Sequence, residues 1–180
     1  GSPAQACPLN PPICVHAVLG KWNLGMWAKR YTPIGRGFDS YLGYLSADEQ
    51  YYTHYKWPPF HGGIGTACGY KVSLPSLYNI TDLINGTDGE LRASDGRYAG
   101  VYSTFMYGAE ADRILDEAAV RQEASKASGR GRSPFFLYIA AQSIHTPLEA
   151  QAEYLALYPD APSAANNSDA QLIHAMVSAL

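Results

Sequence analysis

"ICVHAVLG", residues 13–20, is a short apolar and β-branched run closed by a glycine, and it reads as a buried strand. A second run of the same kind, "SPFFLYIAAQ" at residues 133–142, opens on Ser133 and Pro134. Between them, "GVYSTFMYGAEADRILDEAAVRQEAS" at residues 100–125 carries apolar side chains at Val101, Phe105, Ile114, Leu115, Ala118 and Ala119. Their recurrence over its second half predicts a long amphipathic helix ending near Gly129. Strand, crossover with helix, then strand is the arrangement of a parallel sheet with right-handed connections. The expected fold class is α/β, with a mixed, largely parallel sheet flanked by helices.

Residues 28–97 break that pattern. They are aromatic and glycine-rich, with "GRGFDSYLGYLS", "QYYTHYKW" and "PPFHGGIGTACGY", and they show little sustained periodicity. So long an insertion in a compact α/β unit is expected to form a covering loop or one wall of a pocket. After the second run, Pro147 in "SIHTPLEAQAEYLALY" is placed near a helix start. The terminal "SDAQLIHAMVSAL" reads as a helix capped by Ser168 and closed by no Gly, Asn or basic residue, as if cut within a helix.

At 180 residues the chain suffices for one domain with a core of its own. The formal net charge is −3, so the basic field that binds nucleic acid by counterion release is missing. No window has the uninterrupted apolar length of a membrane span, and the Pro-rich start lacks the regions of a signal peptide. Cys7, Cys14 and Cys68 have no zinc-type spacing; one pair of them is a candidate disulfide. Sequons at Asn79, Asn85 and Asn166 stand in polar, turn-rich stretches, are candidate glycosylation sites, and favour a secretory route.

Open α/β sheets bind ligands outside the carboxyl ends of their strands. Lys21 lies just past the end of the first run and His145 just past the end of the second, so both are expected to project toward one crevice. A lysine there is a point-charge clamp for an anion, and a histidine beside it lends or takes a proton near neutral pH. That pair suits transfer of a sulfuryl or phosphoryl group, in which charge builds on the non-bridging and leaving oxygens. Each residue alone also has a bland reading, as a solvated lysine or a structural histidine.

Four blocks, "GKWNLGMW", "YTPIGRGFDSYLGYLSADEQYYTHYKW", "VYSTFMYGAEADRILDEA" and "SPFFLYIAAQSIHTPLEAQAEYLALY", resemble successive blocks of the sulfatase family, most closely its arylsulfatases. The resemblance runs over residues 15–180 and leaves residues 1–14 as a Pro-rich, non-matching segment. It implies a partial alkaline-phosphatase-like fold and a sulfuric ester hydrolase acting on aryl or carbohydrate sulfates, in an extracellular or lysosome-like compartment. Its partner is then a sulfated small molecule or glycan, with no nucleic acid and no membrane span. Lys21 matches the family lysine that contacts the sulfate, and His145, in "HTP", matches the histidine near the leaving oxygen. Where the family pattern reads "GKWHLG" this chain has Asn23, an amide that does not exchange a proton at neutral pH. The implied consequence is slow release of the covalent intermediate, the alternative being simple tolerance of the change by a divergent branch.

The resemblance also implies calcium and formylglycine in the complete enzyme. Family activity uses a cysteine in "CxPxR", and none of the three cysteines stands in that context. The paired aspartates and the Asp-Asn pair that hold calcium are missing too, so no metal ligand is assigned here and the segment alone is expected to be inactive. A non-catalytic relative that binds sulfated glycans is the alternative, and a phosphatase or phosphonate hydrolase on the same fold is the third reading. Of the remaining candidates, His54 reads as a pocket wall or packed loop, His16 as structural, and Arg36 with Asp39 as an ion pair or turn anchor. His61 and His174 match no site.

Overall fold

The structure is a computed structural model and describes residues 14–55, 65–67, 70–72, 83–87, 89–94, 96–159 and 169–180. The first predicted strand forms as β1 (Val15–Lys21) and the second as β7 (Phe135–Ala140). They pair directly and in parallel, Val15 opposite Phe135 through Gly20 opposite Ala140. The helix between them is α1 (Ser103–Ala127). Its buried face is rotated from the predicted one. Ile114 and Ala118 are buried, but Met106, Tyr107 and Ala111 complete the stripe, while Val101, Phe105 and Leu115 are exposed.

Within residues 28–97 the expected covering loop is corrected. Ser40–Tyr44 forms β2, which lies beside β1 in the middle of the sheet and runs parallel to it. Leu83–Thr87 and Glu90–Ala93 form β5 and β6, an antiparallel hairpin added to the other side of β2. The sheet order is β6-β5-β2-β1-β7, two parallel pairings at one end and two antiparallel at the other. Gly65–Ala67 and Tyr70–Val72, β3 and β4, make a separate two-stranded ladder. The crossover from β1 to β2 carries two 3-10 turns, Lys29–Tyr31 and Ile34–Arg36, in place of a helix.

Alternation along β1 builds both faces of the core. Ala17 and Leu19 pack with Leu42, Leu83 and the α1 residues Met106, Tyr107, Ala111 and Ile114. Val18 faces the other way, into a cluster with Trp22 and Tyr41, covered by Ile34, Phe38, Leu45, Ile84 and Leu91. A third cluster joins Tyr51, Tyr102, Met176 and Ala179. It draws together the loop after β2, the start of α1, and α3 (Asp169–Ser178). The helix expected near Pro147 begins later, as α2 (Ala152–Leu155), with Gln151 as its cap. Ser168 lies outside the described residues. Strand β7 is an edge on which Phe135, Phe136, Tyr138 and Ile139 are 45–51% exposed. No helix among the described residues is long and apolar enough to cross a membrane.

Candidate functional site

Three parallel strands, β1, β2 and β7, end in one row, with Gly20 opposite both Gly43 and Ala140 and Lys21 opposite Tyr44. The backbones meet too closely there for side chains. A Cβ on Gly20, whose φ is +90°, would stand 2.0 Å from the Ala140 carbonyl oxygen, and one on Gly43 would stand 1.9 Å from the Gly20 carbonyl oxygen. Lys21 is therefore the first side chain past a glycine-only contact, half-buried, and it is the last residue of β1 rather than a residue beyond it. No carboxylate among the described residues pairs with it. The next residue, Trp22, is buried, and its indole N–H is shared between the carbonyls of Gly25 at 3.0 Å and Tyr31 at 2.8 Å. Asn23 is exposed at φ 47°, a left-handed conformation that Asn tolerates.

His145 stands five residues past the end of β7 and is exposed. Its backbone N–H donates to the Gln142 carbonyl at 2.9 Å. Its Nδ1 lies 2.8 Å from the Thr146 carbonyl oxygen. A carbonyl only accepts, so Nδ1 carries the proton in that contact and Nε2 is left to exchange one with a ligand. Because β1 and β7 are adjacent and parallel, Lys21 and the segment bearing His145 leave the same edge of the sheet.

The His145 segment is held from behind by residues the sequence did not single out. The Tyr51 hydroxyl donates to the His145 carbonyl at 3.0 Å, and the Tyr51 backbone N–H donates to Glu149 Oε2 at 2.5 Å. The Tyr102 hydroxyl donates to the Glu149 carbonyl at 2.7 Å, and the Gln142 side-chain amide donates to the carbonyl of the fully buried Glu49. Tyr107 donates to Glu49 Oε1 at 3.1 Å. Burial pushes the Tyr51 phenol up to about 12 and raises those of Tyr102 and Tyr107, so all three remain donors at neutral pH. Glu149 is also raised by burial, against the opposing pull of the Tyr51 N–H. The one sequence signal for this cluster is the paired tyrosine of "QYYTHYKW".

A sequence profile of the sulfatase family matches residues 15–179. The chain belongs to the sulfatase family. It is 33% identical to Arylsulfatase J of Mus musculus over 141 residues, which is 78% of this chain and 18% of that protein. The crystal structure of Ps i-CgsB aligns with a TM-score of 0.60 at 26% identity, over 92% of this chain and 31% of the other. The same protein in complex with k-i-k-neocarrahexaose aligns with a TM-score of 0.59. The chain thus spans under a third of these relatives.

As a sulfatase chain it lacks a calcium site among its described residues. No three His, Cys, Asp or Glu side chains gather there, whereas calcium takes about six to eight oxygen ligands. Nor do the cysteines fit the formylglycine precursor: Cys14 is disulfide-bonded, and Cys7 and Cys68 lie outside the described residues and outside any "CxPxR".

Among the described residues, His54 and His16 are held in packing and anchoring contacts. His54 is buried at φ 56°, with Nε2 3.0 Å from the Tyr98 carbonyl oxygen and Nδ1 3.7 Å from Glu49 Oε1, a packed loop residue. Asp39 anchors β1, accepting from the His16 backbone N–H at 2.8 Å and lying 3.2 Å from its Nδ1. Arg36 lies 5.6 Å over the Tyr31 ring. His174 is exposed on α3 beside Tyr158; His61 is outside the described residues. Of the sequons, Asn79 and Asn166 are also outside them. Asn85 sits in strand β5, not in a turn, and lines a cavity of about 400 Å³ with Ser40, Arg97 and Arg113.

Proposed function

We propose that this chain supplies the anion-binding lysine and the leaving-group histidine of a sulfuric ester hydrolase acting on aryl or carbohydrate sulfates. The observation that carries the reading is the adjacency of β1 and β7, whose parallel ends bear Lys21 and the His145 segment on one edge. The Lys21 ammonium pairs with the non-bridging oxygens of the sulfate, where negative charge accumulates. In its imidazolium form His145 gives the Nε2 proton to the departing alkoxide or phenoxide and is left as the neutral ring whose Nδ1–H stays on Thr146. Asn23 offers a hydrogen bond to the sulfate but no proton exchange. Residues 15–180 act as part of a catalytic domain, with residues 1–14 outside it. Calcium and formylglycine belong to the complete enzyme, and this segment alone is inactive. Cys14 in a disulfide and the sequons support a secretory address, extracellular or lysosome-like, and glycosylation at Asn79, Asn85 and Asn166.

A second reading, a non-catalytic protein that binds sulfated glycans, is favoured by Asn23. The neocarrahexaose bound to the CgsB neighbour supports a sulfated glycan as ligand in either case. The deciding experiment is hydrolysis of an aryl sulfate and an aryl phosphate by the full-length protein with added calcium. Sulfate turnover that falls at least about 100-fold in Lys21→Ala and in His145→Ala supports the hydrolase. Turnover of phosphate alone overturns it.

A further inference from the structure

The segment after Lys21 is built as a platform. The shared indole N–H of Trp22 staples residues 22–31 onto the end of β1. At Gly25, φ is +109° and a Cβ would stand 3.2 Å from the Tyr31 Cβ, so the turn closes tightly. On this fixed frame Trp27 is 75% exposed, with its ring 4.8 Å from that of Tyr31. The Arg30 guanidinium lies 4.9 Å over Trp27 and 4.6 Å over Tyr31. Leu24 and Met26 beside them are also exposed. Neighbouring Lys29 is paired with Glu90 at 2.8 Å, but no carboxylate among the described residues pairs with Arg30.

This is an unusual use of an indole. An exposed tryptophan on a stapled turn forfeits the burial that such a side chain ordinarily supplies, which marks a contact surface. A guanidinium resting over two rings is restrained by them and still has an N–H edge that matches two oxygens of a tetrahedral oxyanion. An indole face suits the C–H face of a pyranose ring. In a chain of net charge −3, a guanidinium without a carboxylate partner complements an anion. Ring face and guanidinium edge together describe a ligand that is both saccharide and anion.

We propose that Trp27 and Arg30 form a subsite for a sulfated sugar unit next to the ester held at Lys21, so that the substrate is a sulfated oligosaccharide rather than a free aryl sulfate. The proposal rests on the reading of Lys21 as the sulfate clamp. Six residues of chain reach at most about 20 Å, and the turn at Gly25 shortens this. Both positions therefore lie within the reach of one oligosaccharide.

The test uses the full-length protein with sulfated galactan and sulfated glycosaminoglycan hexasaccharides, their desulfated counterparts, and an aryl sulfate. Trp27→Ala and Arg30→Gln are each expected to raise KM for a sulfated hexasaccharide about tenfold with kcat unchanged, leaving KM for the aryl sulfate unchanged. A sulfated hexasaccharide quenches tryptophan fluorescence in the parent and not in Trp27→Ala, and the desulfated sugar quenches neither. Equal losses on both substrates, no loss on either, or equal quenching by the desulfated sugar overturns the subsite. Quenching without sulfate release from any substrate leaves the subsite standing and rejects the hydrolase.

Discussion

The Tyr51 hydroxyl donates to the backbone carbonyl of His145 at 3.0 Å, from a residue 94 positions away in sequence. Tyr51 is buried and His145 is exposed, so a buried phenol fixes the backbone under a side chain that faces solvent. Tyr51→Phe keeps the ring and removes the bond. It is expected to cost about 1 kcal/mol of stability. It also speeds amide hydrogen exchange at Ile144 and His145 while leaving α1 unchanged, as exchange followed by mass spectrometry or NMR would show.

Glu149 titrates against folding. Burial raises its pKa above the ordinary 4.5, so the folded state binds the proton more tightly than the unfolded one. Its contribution is most favourable below pH 4.5, declines as pH rises through the folded value, and is lost above it. Glu149→Gln keeps an acceptor for the Tyr51 N–H. Urea unfolding across this acid range is expected to show a smaller decline of stability with rising pH in the variant than in the parent.

Alkaline pH acts on the same cluster. Tyr51, pushed up to about 12, and Tyr102 and Tyr107, raised further by burial, bind their protons more tightly when folded. Stability is therefore lost as pH rises from 10 upward. Tyrosinate absorbance is expected to show the exposed tyrosines ionising first and a late fraction appearing only with loss of the near-UV circular dichroism.

Two glycines give opposite outcomes. At Gly20 a Cβ would lie 2.0 Å from the Ala140 oxygen at a φ of +90°, so Gly20→Ala is expected to cost more than about 4 kcal/mol. At Gly108, within α1, nothing lies within 4 Å of an added Cβ. Gly108→Ala is expected to gain about 0.5–1 kcal/mol. Denaturant unfolding of both variants checks the contrast.

Asn23 occupies a left-handed position that histidine also tolerates, so Asn23→His is compatible with the backbone. In the full-length protein the variant is expected to release sulfate faster, with a steady-state rate that rises relative to the initial burst. An unchanged rate removes the role assigned to this position.

The outer elements of the fold are legible in the sequence and the middle of the sheet is not. β1, β7 and α1 announce themselves through long apolar or periodic runs, and the strand ends bring Lys21 and His145 into view. β2 and β5 were hidden by the residues that let them pack. Gly43 interrupts "SYLGY" because the Gly20 backbone passes within 1.9 Å of where its Cβ would be. Asn85 and Gly86 spell a turn inside a strand, where a Cβ on Gly86 would stand 2.5 Å from the end of the Leu91 side chain. The buried face of α1 was misplaced because Phe105 and Leu115 look more apolar than Ala111, while geometry favours the smaller residue against the sheet. Tyr51 shows only as half of a tyrosine pair and Glu149 carries no local signal, because their roles exist through contacts between distant segments.

The pairing of Val15 with Phe135 fixes an order of events. β1 finishes its hydrogen-bond ladder only by pairing with β7, a strand far downstream in sequence. Loop closure over that span is entropically costly before any contact rewards it, so folding is slow. Until β7 docks, one side of β1 is an open edge on which another strand can pair.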